Sequence, residues 1–174
     1  GAEKDYPAKA HRRAFDHVLK HNVNVTVHAG EAFGPESIAQ AIRYCGAHRI
    51  GHGTRLREDP DILHYVNDHR IPLEMCPTSN VHTGAAASIA EHPIGLLTRL
   101  RYRVTVNTDN RLMSRTTLSE EYHRAVRAFG LDLDDLETLS INGMKSAFAH
   151  FELRCRLIYE RIKLGFNALR AEHG

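Results

Sequence analysis

Val23-Asn24-Val25-Thr26-Val27-His28-Ala29-Gly30-Glu31 is the stretch whose reading decides the fold. Valine alternates with a polar residue, and the run ends in a histidine and a carboxylate separated by two small residues. Period-two alternation predicts a β-strand from Val23 to His28 with one face on an apolar layer. His28 shares the face of Asn24 and Thr26, opposite the valines, and stands at the strand's C-terminal end. Glu31 follows in a glycine-containing loop ahead of a helix. Arg103-Val104-Thr105-Val106-Asn107-Thr108-Asp109 repeats the pattern, with Asp109 in the place of His28. Two strands thus each deliver a potential metal ligand at the same end.

The chain of 174 residues, 42% of them hydrophobic, reads as a single domain over residues 1–174 with enough length for a real core. No apolar run is long enough to span a bilayer and no charged-then-apolar leader is present, so a membrane partner is not expected. A net charge of +2 is too mild to argue for nucleic acid. The three cysteines, Cys45, Cys76 and Cys155, have no paired spacing, which fits a reducing cytoplasm and buried thiols better than a disulfide framework. The unusual count is thirteen histidines.

Around the opening strand, the chain reads as alternating strands and helices. A helix from Ala8 to His21 presents Ala14, Phe15, Val18 and Leu19 on one face. Pro35 starts another, carrying Ile38, Ala41, Ile42 and Cys45 at helical spacing. A second strand is Arg49 to Thr54. Asp59-Pro60 is an N-cap and first-turn proline ahead of Ile62, Leu63 and Val66. The third strand runs from Ile71 to Met75 and breaks at Cys76-Pro77-Thr78-Ser79-Asn80. A short helix from Pro93 to about Leu100 precedes the fourth strand, Arg103 to Asp109. Thr117 and Glu120 have the spacing of a capping box on a helix bearing Leu118, Tyr122, Ala125, Val126 and Phe129. Helices from about Asp134 to Ala147 and Phe151 to Ala171 close the chain.

Such alternation means βα units and a parallel sheet. Functional groups at strand C-termini point to a (β/α)₈ TIM-type barrel, an α/β fold whose sites are built at that face. A full barrel takes about 250 residues, so this chain is expected to supply half of one. The remainder would lie outside it or come from a second chain. An open four-stranded sheet is the alternative; there Asn24, Thr26, Thr105 and Asn107 would face helices, unfavourably unless paired.

Zinc accepts imidazole nitrogen and carboxylate oxygen, and a catalytic site takes about three protein ligands plus water. His28 and Asp109 are two such donors, and no His-x-His pair adds more. The plain alternative is a hydrogen-bonded strand-end histidine and a helix-capping aspartate. Glu31, shielded from water, could have its pKa raised and serve as a general acid, or it could simply complement a helix N-terminus. His52 sits between Gly51 and Gly53, which permit close backbone approach and leave the imidazole open to a ligand. It reads equally as a satisfied structural histidine. The other histidines, His92 among them, read as surface or capping residues, with His82 set apart because it follows the third strand.

His28-Ala29-Gly30-Glu31, Gly51-His52-Gly53, Cys76-Pro77-Thr78-Ser79-Asn80 and Asn107-Thr108-Asp109 together resemble the adenosine deaminases, within the amidohydrolase-type metal barrels. Asn142-Gly143-Met144-Lys145-Ser146-Ala147-Phe148 is similar to that family's C-terminal helix signature. The resemblance covers essentially the whole chain but only the family's C-terminal portion, strands five to eight plus the C-terminal helices. It implies a Zn²⁺ cofactor held by His28 and Asp109. It implies Glu31 as the acid that protonates purine N1, and His52 as the residue that orients and deprotonates the attacking water. Gly1, Gly30 and Asn110 become substrate-binding positions, Asn110 standing where many members have an aspartate facing purine N7. The family's His-x-His pair on strand one has no counterpart here.

The implied reaction is zinc-dependent hydrolysis of adenosine or 2′-deoxyadenosine to inosine or 2′-deoxyinosine plus ammonia, with a small-molecule purine nucleoside as partner. The alternatives are a deaminase of adenine or another 6-aminopurine with the same metal site, or a catalytically incomplete half-barrel. The scaffold of cytidine-type zinc deaminases needs Cys-x-x-Cys, which is absent.

Overall fold

The computed structural model describes residues 3–173. After a 3₁₀ turn at Ala8–His11, the elements are α1 (Arg12–Lys20), β1 (Thr26–Ala29), α2 (Pro35–Cys45), β2 (Arg49–His52), α3 (Pro60–Asp68) and β3 (Leu73–Met75). Two short helices, α4 (Pro77–His82) and α5 (Ile94–Arg99), lead to β4 (Val104–Val106). The helical C-terminal part comprises α6 (Arg111–Ser114), α7 (Leu118–Phe129), α8 (Leu133–Ser146), α9 (Phe151–Leu157), a π-helical turn at Ile158–Ile162 and α10 (Lys163–His173).

The four strands are parallel and lie in the order β1-β2-β3-β4. Each strand pairs with the next one along the chain and a helix crosses between them. That order has no reversal, as a doubly wound sheet would; it is the arrangement of half a (β/α)₈ barrel. The helix-facing side buries Val27, Ile50, Leu73, Met75 and Val104 against Ile38, Ile94, Leu97 and Leu139. Of the polar residues on the other side, Thr26, Thr105 and Asn107 are paired, and Asn24 is exposed. Thr26 Oγ1 donates to Glu74 Oε2 at 2.7 Å, and Asn107 Nδ2 donates to Thr105 Oγ1 at 2.8 Å. No helix among the described residues is long and apolar enough to cross a membrane.

Local signals hold well at the helix starts. Asp59 caps α3 by accepting from the amides of Asp61 and Ile62, with Pro60 in the first turn. Thr117 and Glu120 form the expected reciprocal capping box, and Asp132 and Asp135 form a second at α8. Phe15, Val18 and Leu19 pack on the core, whereas Ala14 is exposed. Strand ends are shorter than alternation predicts. β1 starts at Thr26, because the Val25 amide is taken by His48 Nδ1. β2 ends at His52 and β4 at Val106, because His52 (φ 70°) and Asp109 (φ 52°) take left-handed conformations beyond or at the strand ends. Cys76–Asn80, expected as a break, opens into α4 with Pro77 at its first position, where the missing N–H costs nothing. The last helix is interrupted by the π-helical turn, which periodicity does not reveal.

Gly30 fixes the turn that carries the chain from β1 into the site. Its φ is 75°, and a Cβ there would lie 2.5 Å from Ile38 Cδ1. Gly30→Ala is therefore expected to destabilise by at least about 1 kcal/mol in urea unfolding, from backbone strain and overpacking together. Adding Ile38→Val should recover part of that loss, and a Gly30→Ala protein as stable as the parent would contradict the packing described.

Candidate metal and catalytic site

His28, Glu31 and His52 meet at the C-terminal end of β1 and β2. One ligand-type atom from each lies within 4.8 Å of the other two. In register, His28 is opposite Gly51, and a Cβ on Gly51 would stand 3.4 Å from His28 Cα. Strict alternation would send His52 to the helix side with Ile50. Its left-handed backbone turns the imidazole back instead, and the His28 and His52 rings sit 4.5 Å apart. Strained backbone of this kind persists only where surrounding contacts fix it. Glu31 and His52 are buried, while the His28 side chain is 47% exposed, so the cluster opens towards solvent through His28.

Asn80, fully buried on α4, ties the cluster to the core. Its amide nitrogen donates to Glu31 Oε1 at 2.7 Å and to His52 Nδ1 at 3.0 Å. Its oxygen accepts from Thr54 Oγ1 at 2.9 Å and from His92 Nε2 at 3.0 Å. These four bonds use the whole capacity of a carboxamide. Their directions follow from one fixed donor. The Ile94 amide gives its hydrogen to His92 Nδ1 at 3.2 Å, so neutral His92 carries its proton on Nε2 and must donate to Asn80. Asn80 then turns its NH₂ to Glu31 and His52. Neutral His52 accepts at Nδ1 and presents an Nε2–H. Burial pushes the His92 imidazole down to about 4, with the charges of His52 and Arg57 adding to it, so its neutral form holds at neutral pH. Burial also pushes His52 down, against the upward pull of Glu31.

The same bonds orient Glu31. Oε1 accepts from Asn80 and, at 2.9 Å, from Thr83 Oγ1, which fills its lone pairs. Any proton on this carboxyl therefore sits on Oε2, the oxygen 3.6 Å from His28 Nε2. The helix bearing Asn80 is itself anchored from α7. Buried Glu121 accepts from the Thr78 amide at 3.0 Å, from Thr78 Oγ1 at 2.5 Å and from Thr116 Oγ1 at 2.6 Å.

Glu3 is a further member of the cluster. Its carboxylate accepts from the amides of Gly30 (2.7 Å), Glu31 (3.0 Å) and Ala32 (2.7 Å) and from the Ser37 hydroxyl, and Oε2 lies 3.3 Å from His28 Nε2. Burial opposes its ionisation, but the hydrogen bonds from His28, Ser37, Ala32 and Gly30 outweigh it and hold the pKa at about 2. His28 is raised in turn, first by its bond to Glu3 and then by the charges of Glu3, Glu31 and Asp109. A place where carboxylates already favour positive charge, lined by imidazole and carboxylate donors, has the donor chemistry that suits zinc.

Asp109 stands apart from the three-residue donor group. Its Oδ2 accepts from Ser79 Oγ at 2.7 Å, and its charge acts on both imidazoles. It is not a helix cap; that role falls to Asn110, whose Oδ1 accepts from the Met113 amide at 3.2 Å. The Gly30 amide is committed to Glu3 and Ser37. Gly1 lies outside the described residues. His92, read as a surface or capping residue, is buried; the bond to Asn80 across the fold, which no local pattern encodes, accounts for it. Glu3, Thr83 and His92 carry no local signal, whereas Asn80 lies inside a quoted motif.

Imidazole and carboxylate donors at the C-terminal strand ends of a parallel barrel are the layout on which metal-dependent barrel enzymes are built. The chain belongs to the adenosine deaminase family, whose model matches residues 1–163. It is 51% identical over 183 residues to adenosine deaminase 1 of Streptomyces coelicolor, covering 99% of this chain and 46% of that protein. It is 52% identical over 180 residues to the adenosine deaminase of Mycobacterium tuberculosis, covering 97% and 49%. The chain thus spans about half the length of the curated relatives it matches. Among solved structures, an adenine deaminase from Arthrobacter aurescens superposes with a TM-score of 0.92 at 24% identity, over 96% of this chain and 51% of that one. An amidohydrolase from Burkholderia ambifaria, solved with bound Zn, gives 0.89 at 20% identity over 99% and 48%. These two likenesses establish the fold.

The Asn80 bonds make a direct prediction for the metal-free chain. With ¹⁵N-labelled histidine, NMR should find neutral His52 as the Nε2–H tautomer. Asn80→Asp, which places an acceptor opposite Nδ1, should switch it to Nδ1–H. A parent chain already in the Nδ1–H form would contradict the chain of donors traced from Ile94.

Proposed function

We propose that this chain carries the metal-gripping and proton-handling end of a zinc-dependent adenosine deaminase. The complete enzyme would hydrolyse adenosine and 2′-deoxyadenosine to inosine and 2′-deoxyinosine with release of ammonia. The observation that carries this reading is the meeting of His28, Glu31 and His52 at the sheet's C-terminal end, within a chain of this family. In this reading His28 Nε2 and the Asp109 carboxylate hold the zinc. Zinc, when bound, supplies water that is acidified from a pKa of about 15.7 towards 7.

The chain's own residues then divide the proton work. Glu31 holds its proton on Oε2 and gives it to purine N1, so that the ring does not accumulate full negative charge as water adds to the carbon bearing the amino group. His52 presents Nε2–H to the water oxygen and fixes the direction of its lone pair. That geometry supports the orienting half of the role implied by the family resemblance, and it argues against His52 as the base. Asp109, held by Ser79, accepts from the water on the other side. Over the cycle the two water protons end on N1 and on ammonia, the oxygen stays on carbon, and Glu31 is restored. Asn110 offers its NH₂ to purine N7, and Gly1 and Gly30 keep the substrate-binding roles that the family resemblance implies.

The open edges of β1 and β4, with a match to about half of each relative, support strands supplied by a longer polypeptide or by a second chain. A cytoplasmic setting rests on three unpaired cysteines. Adenine deamination is the second reading, favoured by the likeness to the A. aurescens adenine deaminase. Comparing kcat/KM for adenosine and adenine separates the two.

In an enzyme of the relatives' full length, about one zinc per chain and ammonia release from adenosine are expected. A zinc-loaded enzyme that releases none would overturn the proposal. The 174-residue chain alone should turn adenosine over poorly, since two zinc ligands seldom suffice. Glu31→Gln in the full-length enzyme should lower kcat by about 10²–10⁴ with little change in KM, the signature of a lost general acid. An unchanged kcat would remove Glu31 from that role.

A further inference from the structure

The opposite end of the sheet holds a cavity of about 600 Å³ that the deaminase reading does not use. It lies where the strands begin, beside Arg49 at the start of β2, Pro72 ahead of β3 and Arg103 ahead of β4, and it is closed below by the turn joining α8 to α9. Its charged lining is of one sign: Arg49, Arg70, Arg103, Lys145 and Arg154, joined by His48, His69 and His150, with no aspartate or glutamate among the lining residues. Arg49 has a counter-charge in Glu74 at 2.9 Å, donates from Nη1 to the Ser146 carbonyl at 3.1 Å and carries the Phe148 ring 3.7 Å from its guanidinium carbon. Arg70 donates to Asn67 and to the Arg101 carbonyl, and Arg154 to the Lys145 carbonyl.

Arg103 is different. It is half-buried, and its Nε, like that of Arg49, is shut off from water without a hydrogen-bond partner; unlike Arg49, its guanidinium makes no ion pair with a described residue. The Nε of Arg154 is in the same position. Burial lowers the Arg103 pKa, and the charges of Arg70 and Arg154 lower it further. A guanidinium partly withdrawn from water without a counter-charge is unfavourable, and like charges beside it make it more so. Planar N–H pairs facing one space are also the donor set that grips tetrahedral oxyanions in a bidentate manner.

We propose that this cavity is a binding site for a phosphate-type oxyanion, held by Arg103 and Arg154 with Arg70 and Lys145 at its mouth. The ligand neutralises the basic cluster and ties the turn after α8 to the starts of β3 and β4. This end of a barrel contributes to stability rather than to chemistry, so occupancy should be read as a gain in stability.

Inorganic phosphate is the probe. Titrated into the 174-residue chain against sodium chloride at matched ionic strength, phosphate should raise Tm in a saturable way, and calorimetry should give about one site per chain. Arg103→Met should lose the phosphate-specific rise, and so should Arg154→Met. Arg99→Met, an exposed arginine on α5 outside the cavity, should keep it. In phosphate-free buffer Arg103→Met should be at least as stable as the parent, since it removes a half-buried cation that has no ion-pair partner among the described residues. A rise no larger than chloride gives, or one of equal size in Arg103→Met and Arg154→Met, would overturn the proposal.

Discussion

The site depends on a carboxamide that has no freedom left. Asn80 makes two donations and two acceptances inside the core, and reversing it would face its oxygen to the Glu31 carboxylate and its NH₂ to the donors Thr54 and His92. Buried polar networks of this kind are favourable only when every member is satisfied. Here satisfaction is complete, and the direction of each bond traces back to a backbone amide, Ile94 N–H, which has no alternative but to donate. The fold therefore sets the tautomer of neutral His52 and leaves Oε2 as the open oxygen of Glu31.

The electrostatics are built on the same frame. Glu3 gathers successive amides of the turn after β1 and lies 3.3 Å from His28 Nε2, and Glu31 lies 3.6 Å from the same nitrogen. The result is a pocket that favours a cation beside one imidazole and leaves the second imidazole, buried behind it, neutral. Two histidines on adjacent strands are thus shifted in opposite directions by their surroundings alone. The left-handed turns at Gly30, His52 and Asp109 are what aim these groups inward from strand ends whose alternation would scatter them.

How much of this could be read from the sequence differs by element. The parallel half-barrel followed from valine alternation and from the helix starts at Pro35, Asp59-Pro60 and Thr117, because those signals are local and each is backed by a hydrogen bond or a packed face. His28, Glu31 and His52 were legible because they sit at strand ends beside glycines. The supporting residues were not. Glu3 reaches Gly30 and Thr83 reaches Glu31 from distant parts of the chain, and His92 joins the cluster only through Asn80; such pairings leave no periodicity to detect. Strand ends were overestimated wherever a non-glycine residue takes positive φ, since nothing in His52 or Asp109 as a residue type announces it. The family resemblance carried the zinc and purine expectations further than spacing alone could.

Zinc K-edge X-ray absorption on the zinc-loaded, full-length enzyme tests the division of labour between the two imidazoles most directly. His28→Ala should lower the number of imidazole ligands seen by the metal by one, while His52→Ala should leave that number unchanged. Loss of an imidazole in His52→Ala, with His28→Ala keeping the full set, would contradict the assignment of His28 as the ligand and His52 as the oriented donor.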